Sequence, residues 1–292
     1  MTPITGFVNI IKPTGMTSSD VVLRVKKILK TKKVGHLGTL DPAASGVLPV
    51  AVGKATKYFD YFLNKDKTYV AVVKFGIETD SLDSFGNITN KNNKTIQEED
   101  VLKALPNFIG KILQVPPKYS AIKINGKRAC DLARENIDFE IKPKEITIHS
   151  IKLLGKQAEN VFKFEVHCSA GTYIRTLFSD IAYAMGTIST TPVIIRTQSG
   201  RFNLSNALSL EEFEETQKVL SITEVFSDIE VVEVDEKSAK KLINGVKIAK
   251  NEANLPQNTD FNKEILFAFE NNLIGMYRLV DDKFQPVVYL YQ

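Results

Sequence analysis

Lys33-Val34-Gly35-His36-Leu37-Gly38-Thr39-Leu40-Asp41-Pro42-Ala43-Ala44-Ser45-Gly46-Val47-Leu48-Pro49, continuing as Val50-Ala51-Val52-Gly53-Lys54-Ala55-Thr56-Lys57, is the most constrained stretch of the chain. Gly35, Gly38 and Gly46 permit tight backbone approach. Asp41 precedes Pro42, which biases it away from helix toward an extended conformation. An acid held in a glycine-bounded loop amid Lys33, Lys54 and Lys57 is placed to meet something anionic. Taken alone, Asp-Pro reads more often as a turn or helix-start device.

The flanks alternate strand and helix patterns. Gly6–Pro13 reads as a strand stopped by its proline. Thr17-Ser18-Ser19-Asp20 is an N-cap cluster, and Val21, Val22, Val25, Ile28 and Leu29 follow at helical spacing. Tyr69–Phe75 is a strand, residues 76–95 are turn-rich, and helix returns around Glu98–Phe108. Residues 114–145, with Pro116-Pro117 and many cations, read as an excursion from the core. Phe162, Phe164, Val166 and Cys168 alternate with polar residues, the mark of a half-buried strand that leaves Cys168 in the core. Residues 172–185 read as a helix capped by Thr172, with Ile174, Leu177, Ile181 and Met185 inward. A helix is predicted at 209–220. From about 231 the pattern changes to short strands at Ile265–Phe269, Leu273–Leu279 and Pro286–Leu290. The order of elements lacks strict βαβ alternation, so the fold class is α+β.

With 43% hydrophobic and 25% charged residues in 292, the chain is globular and needs neither disulfide nor metal to fold. Two cysteines, Cys130 and Cys168, make no disulfide framework and point to a reducing compartment. No apolar run reaches the roughly 18 residues of a membrane helix, and the start lacks a secretory pattern, so a cytoplasmic protein without membrane contact is expected.

The net charge of +4 conceals a division. Residues 1–67 carry 11 Lys/Arg against 4 Asp/Glu, whereas residues 204–236 carry 1 against 10. A basic body with one acidic patch suits a polyanion, although charge runs are as often merely solvated faces. Only 7 of the 38 cationic residues are arginines, and Arg128, Arg134, Arg175, Arg196 and Arg201 cluster in the middle of the chain. Such positions call for the planar fork that lysine lacks. There is no phosphate-binding glycine loop, no dinucleotide fingerprint and no serine nucleophile elbow. The histidines His36, His149 and His167 show no metal spacing. Any catalysis must use common side chains without cofactor, with Asp the leading candidate.

Gly35–Pro49 resembles the catalytic motif of the TruB family of tRNA pseudouridine synthases. Gly6–Ser18, Lys67-Thr68-Tyr69, Gly76–Asp83, Gln114–Ala121, Gly126–Ala129, Leu132–Arg134, Gly171–Leu177 and Arg196–Phe202 are similar to further motifs of that family, in the same order. The resemblance implies a pseudouridine synthase fold around a mixed, largely antiparallel central sheet. It places a catalytic domain at 1–230, an RNA-gripping thumb loop at about 114–145, and a short, mostly-β PUA-like domain at 231–292. It implies isomerisation of uridine 55 in the T-loop of tRNA by base flipping, with no cofactor, metal or guide RNA, by a monomer.

On matching positions, the resemblance makes Asp41 the essential carboxylate, Tyr69 the ring that stacks on the uracil, and Arg175 the partner of Asp41. His36 would enter the T-loop, and Ile195 would be the apolar pocket residue before an arginine. Further RNA contacts fall on Lys12, Gly38, Thr39, Lys57, Lys118, Tyr119, Lys123, Lys127, Arg128, Arg134, Tyr173 and Arg196. Leu37, Cys130 and Ala170 depart from the family pattern without touching Asp41, Tyr69 or Arg175. An RNA-binding module that assists tRNA folding is the rival class, separated by whether function survives loss of Asp41. Attack of Asp41 on C1′ and a glycal route through C2′ proton removal both remain open.

Overall fold

The computed structural model describes residues 4–120, 122–135, 137–253, 255–256 and 259–291, so Ala121 of the Gln114–Ala121 motif lies outside the described residues. The chain opens with β1 (Gly6–Lys12), then α1 (Ser18–Ile28), whose N-terminus is closed by reciprocal Thr17 and Asp20 bonds. β2 (Val34–His36) and β3 (Ser45–Val52) bracket the Asp41 loop. α2 (Phe59–Leu63) leads into β4 (Lys67–Phe75), and β5 (Ile77–Thr79) with β6 (Ile88–Lys91) forms a small ribbon. α3 (Glu98–Ala104) precedes β7 (Gly110–Gln114).

The 114–145 segment is not a bare excursion. Strands β8 (Lys123–Ile124) and β9 (Lys127–Arg128) pair around Asn125 and Gly126, both at positive φ (49° and 86°), the conformation that a two-residue type I′ hairpin demands. The helix α4 (Ala129–Arg134) follows and buries Ala129 and Leu132. β10 (Lys144–Ala158) and β11 (Val161–Cys168) then form a long antiparallel pair. α5 (Ile174–Ala184) is capped differently from the expectation. Tyr173, not Thr172, occupies the cap, because the Gln114 amide takes both backbone groups of Tyr173 (2.8 and 3.1 Å), while the Thr172 hydroxyl closes the preceding turn on Ser169. β12 (Ser189–Ser199) and β13 (Phe202–Asn203) complete the central sheet.

That sheet has nine strands. Seven run in the order β1-β3-β12-β4-β11-β10-β7, with β2 on β3 and β13 on β12. Its pairings are antiparallel except β3 with β12, which are parallel at Ser45–Ile195 and Gly46–Arg196. In β3, Leu48, Val50 and Val52 pack with Val21 of α1 and Leu177 and Phe178 of α5. Val47 and Ala51 face the opposite way, where a second core gathers Phe7, Tyr58, Phe62 and Phe226. Burial on both faces explains the unbroken apolar run Val47–Val52 of β3.

The acidic stretch holds two short helices, α6 (Leu210–Thr216) and α7 (Ile222–Val225), instead of one at 209–220. Gln217 turns left-handed (φ 47°), which frees Leu220 to exchange two backbone bonds with Phe7. Together with Leu208 this covers the open edge of β1, a requirement that outweighs continued helix. β14 (Val231–Glu233), α8 (Glu236–Ile243), β15 (Ile265–Phe269), β16 (Asn272–Val280) and β17 (Lys283–Tyr289) build a four-stranded sheet with its own core around Phe267, Tyr277 and Phe284. Leu266, Met276 and Val288 of this sheet point into the second core, so the two sheets share it. Among the described residues no helix is long and apolar enough to cross a membrane.

Phe226 is the centre of this junction, with ring centroids 5.2 Å from Tyr58, 5.5 Å from Tyr61 and 5.7 Å from Phe62. Phe226→Ala is expected to lower unfolding free energy by about 3–5 kcal/mol in urea titrations. A loss below about 1 kcal/mol would show that the junction is not cooperative with the catalytic core.

Candidate active site

The Asp41 loop is pinned from both sides. Ser18, the first residue of α1, donates its hydroxyl to the Leu40 carbonyl (3.0 Å) and accepts the Leu40 N–H (2.9 Å). The Pro42 carbonyl accepts the Gly15 N–H (2.8 Å) and the Lys12 ammonium (3.4 Å). Lys12 is fully buried and also donates to the carbonyls of Pro13 (2.7 Å) and Met16 (2.8 Å). An ammonium so enclosed does not reach an RNA phosphate, so the expectation of RNA contact is corrected for Lys12. Burial pulls its pKa down to about 8, a shift that Asp41 opposes and Arg196 reinforces.

Arg196 holds the same loop from beneath. Only 1% exposed, it donates Nε to the Val47 carbonyl (2.8 Å), Nη1 to Thr39 (3.1 Å) and Nη2 to Gly38 (3.2 Å). Gly46 makes this approach possible: it sits at φ 104°, and a Cβ there would stand 2.3 Å from the Arg196 carbonyl oxygen. Arg196 therefore acts as a brace for the loop, not as a free cation for RNA, and Gly38 and Thr39 contribute carbonyls to it.

Arg175, in the first turn of α5 and 3% exposed, meets Asp41 at 2.6 Å. Its remaining donors go to the carbonyls of Ser81 (2.7 Å) and Tyr119 (3.1 Å), with the Asp83 carboxylate at 3.4 Å. Asp83 is itself held by the Ser81 hydroxyl and the Phe85 N–H. The guanidinium thus stands between two carboxylates, and only Asp41, 34% exposed, opens outward. Sequence reasoning missed Asp83, although it closes the Gly76–Asp83 motif.

Above the pair lies a cavity of about 400 Å³, within the range of small-ligand pockets. Tyr69, Tyr173 and Lys67 line it beside Asp41 and Arg175. Burial pushes the Tyr69 phenol up to about 12, so it stays protonated at neutral pH and offers a donor rather than a base. Lys67, missed as a site residue, donates to the Leu63 and Lys65 carbonyls, and burial lowers its pKa to about 8. On β12 the apolar wall comes from Ile194, not Ile195. Ile194 and Arg196 share one face of the strand, and the intervening Ile195 points the other way.

The outer candidates His36, Lys57, Lys118, Lys123, Lys127, Arg128 and Arg134 do not line this cavity. His36 is partly buried on β2, burial and Arg196 lower its pKa, and its Nδ1 has no hydrogen-bond partner among the described residues. The Lys57 ammonium is lowered by burial and by Lys33 and Lys54, which marks a crowded cationic cluster. Lys118, Lys123, Lys127, Arg128 and Arg134 are exposed, while Tyr119 is partly buried with its carbonyl on Arg175. Leu37 belongs to the second core, and Cys130 is partly buried, so both departures are packing residues.

Residues 26–174 match the N-terminal domain of the TruB family pseudouridylate synthases. The tRNA pseudouridine synthase B of Clostridium acetobutylicum is 41% identical over 97% of this chain and 98% of its own. That of Clostridioides difficile is 46% identical over 77% of this chain and 75% of its own. Among solved structures, a Cbf5-Nop10-Gar1 complex is similar with a TM-score of 0.69 and 25% identity, over 94% of this chain and 78% of that one. An H/ACA RNP bound to a substrate RNA containing 2′-deoxyuridine shares the fold, with a TM-score of 0.69 at 22% identity, over 98% of this chain and 85% of that one. The protein is a pseudouridine synthase. The chain belongs to the TruB family of these enzymes.

Arg196→Lys keeps the charge but offers a compact ammonium to three carbonyls that a planar fork spans. Loosening the loop by about 1 Å is expected to lower kcat by about 10²-fold in single-turnover assays; an unchanged rate contradicts the brace. With Lys12 and Lys67 both losing their protons near pH 8, the rate is expected to fall as pH rises through that value. A rate that stays level across that range contradicts a need for the charged ammoniums.

Proposed function

We propose that this enzyme converts uridine 55 in the T-loop of tRNA to pseudouridine, alone and without guide RNA or cofactor. The observation that carries the reading is the Asp41–Arg175 pair at 2.6 Å on the floor of a nucleobase-sized cavity. The reaction breaks the N1–C1′ bond of uridine and joins C5 to C1′, with the C5 proton lost and N1 gaining one. No electrons are exchanged, so a carboxylate and a confined base suffice.

The uridine must leave the RNA stack, at a cost of a few kcal/mol. Tyr69 stacks on the extruded uracil and returns about 1–3 kcal/mol of that cost. His36, neutral and part-buried, fills the space the base has left. Attack of Asp41 on C1′ and removal of the C2′ proton both begin from the carboxylate that Arg175 holds in place. The planar fork fixes its direction while leaving one side open to the ribose.

Phosphate contacts fall to the cationic rim. The pairs Lys127–Glu135 (3.7 Å), Arg128–Asp131 (2.8 Å) and Arg134–Asp131 (3.7 Å) are exposed and so weakly held. Exchanging them for phosphates costs little, which suits a thumb at 114–145 that grips RNA on arrival. Lys57, with Lys33 and Lys54, supplies a second cluster, and Tyr173 lines the path of the base. We assign the catalytic domain to 1–230 and a PUA-like RNA-binding domain to 231–292, acting as a monomer.

The test is pseudouridine mapping on an unmodified tRNA transcript with wild type and Asp41→Asn side by side. Product at the T-loop uridine from wild type, abolished in the variant with tRNA affinity retained, is expected. Tight tRNA binding by wild type without product would overturn the assignment and favour a folding chaperone.

A further inference from the structure

Two of the chain's three histidines lie together on the solvent face of the central sheet. The antiparallel pairing of β10 and β11 sets Ile148 opposite Cys168 and then slips, so that Ser150 faces His167. This bulge puts His149 and Ser150 across from the single residue His167. The two imidazole rings come to 4.7 Å, tilted by 42°. On the other side of β11, Thr68 faces His167 and Lys67 faces Cys168. Alternation then separates the faces: Lys67, Cys168 and Ile148 are buried, while Asp66, His167 and His149 are turned to water.

Asp66 completes the group. Its Oδ2 is 3.2 Å from His149 Nε2 and 4.0 Å from His167 Nε2, and one donor atom from each of the three residues lies within 4.8 Å of the others. A tetrahedral zinc ion with bonds of about 2.0–2.1 Å holds its donors about 3.3 Å apart. The His149–Asp66 separation already has that value, and a small side-chain turn brings His167 into it.

We propose that Asp66, His149 and His167 bind one divalent transition-metal ion of zinc-like ligand preference. Two imidazoles and one carboxylate form a borderline set that favours such ions over calcium or magnesium. Three protein ligands leave a coordination position for solvent, which distinguishes the site from a closed structural one. The linear spacing of the histidines carries no metal signal, because the ligands come from β10, β11 and the turn before β4, and only the sheet register unites them. The ion clamps the turn before β4 to the β10–β11 pair. Lys67, next to Asp66, and Ser169, two residues beyond His167, both line the catalytic cavity, so the clamp bears on its wall.

The experiment uses the full chain without a histidine tag, stripped by chelator and titrated with zinc by calorimetry. Cobalt absorption serves as the second reporter. Binding of one ion per chain is expected, weakened more than about tenfold in His149→Gln and in His167→Gln. Zinc should raise the Tm of wild type and leave that of the double variant unchanged. Both variants are exposed, so circular dichroism without metal will confirm that they fold. The absence of binding by wild type at millimolar zinc, or equal binding by the double variant, would overturn the site.

Discussion

Arg196 is buried in the middle of a β-sheet, where an unpaired guanidinium would be intolerable. The catalytic loop supplies what it needs: three carbonyls, from Gly38, Thr39 and Val47. The dependence is mutual, because the Gly38 and Thr39 carbonyls belong to a loop outside the strand ladders. The parallel contact of Gly46 with Arg196 brings the loop into reach, and Ser18 and Gly15 hold Leu40 and Pro42 from the other side. Asp41 lies in that span. The direction of its carboxylate is therefore a property of the sheet rather than of a flexible turn.

Arg175 extends the same logic upward. Its two terminal nitrogens are shared among Asp41, Asp83 and the carbonyls of Ser81 and Tyr119. Three distant segments, the ribbon after β4, the cationic 114–145 segment and α5, meet on one side chain. The 114–145 segment and the Asp41 carboxylate are thus two ends of one hydrogen-bonded array. An arginine is required at this point because a lysine ammonium cannot face four partners in a plane.

What could be read in advance follows from the physics of each element. The β11 alternation and the Thr17 cap are local signals, and the structure has both where the pattern put them. Asp41 and Arg175, 134 residues apart, were joined only by resemblance to a family, since nothing local pairs them. Lys12 is not legible as a buried residue because lysines are rarely buried, and its carbonyl partners Pro13, Met16 and Pro42 converge only once the chain has turned back on itself. Ile195 was displaced by Ile194 because a one-residue change in a strand exchanges faces. β10 is polar over most of its fifteen residues, and only its pairing with β11 and β7 makes it a strand. The Asn125-Gly126 turn was legible and went unread.

The second core has a further consequence, in time rather than in space. Phe7 is made long before Phe226, yet the two rings pack in a core that also takes Leu266, Met276 and Val288. β1 likewise waits for Leu208 and Leu220 to close its edge. A strand whose edge and packing partners lie so far along the chain raises the contact order, and such topologies fold slowly. Until those segments are made, the Phe7 side of β1 lacks part of its native cover.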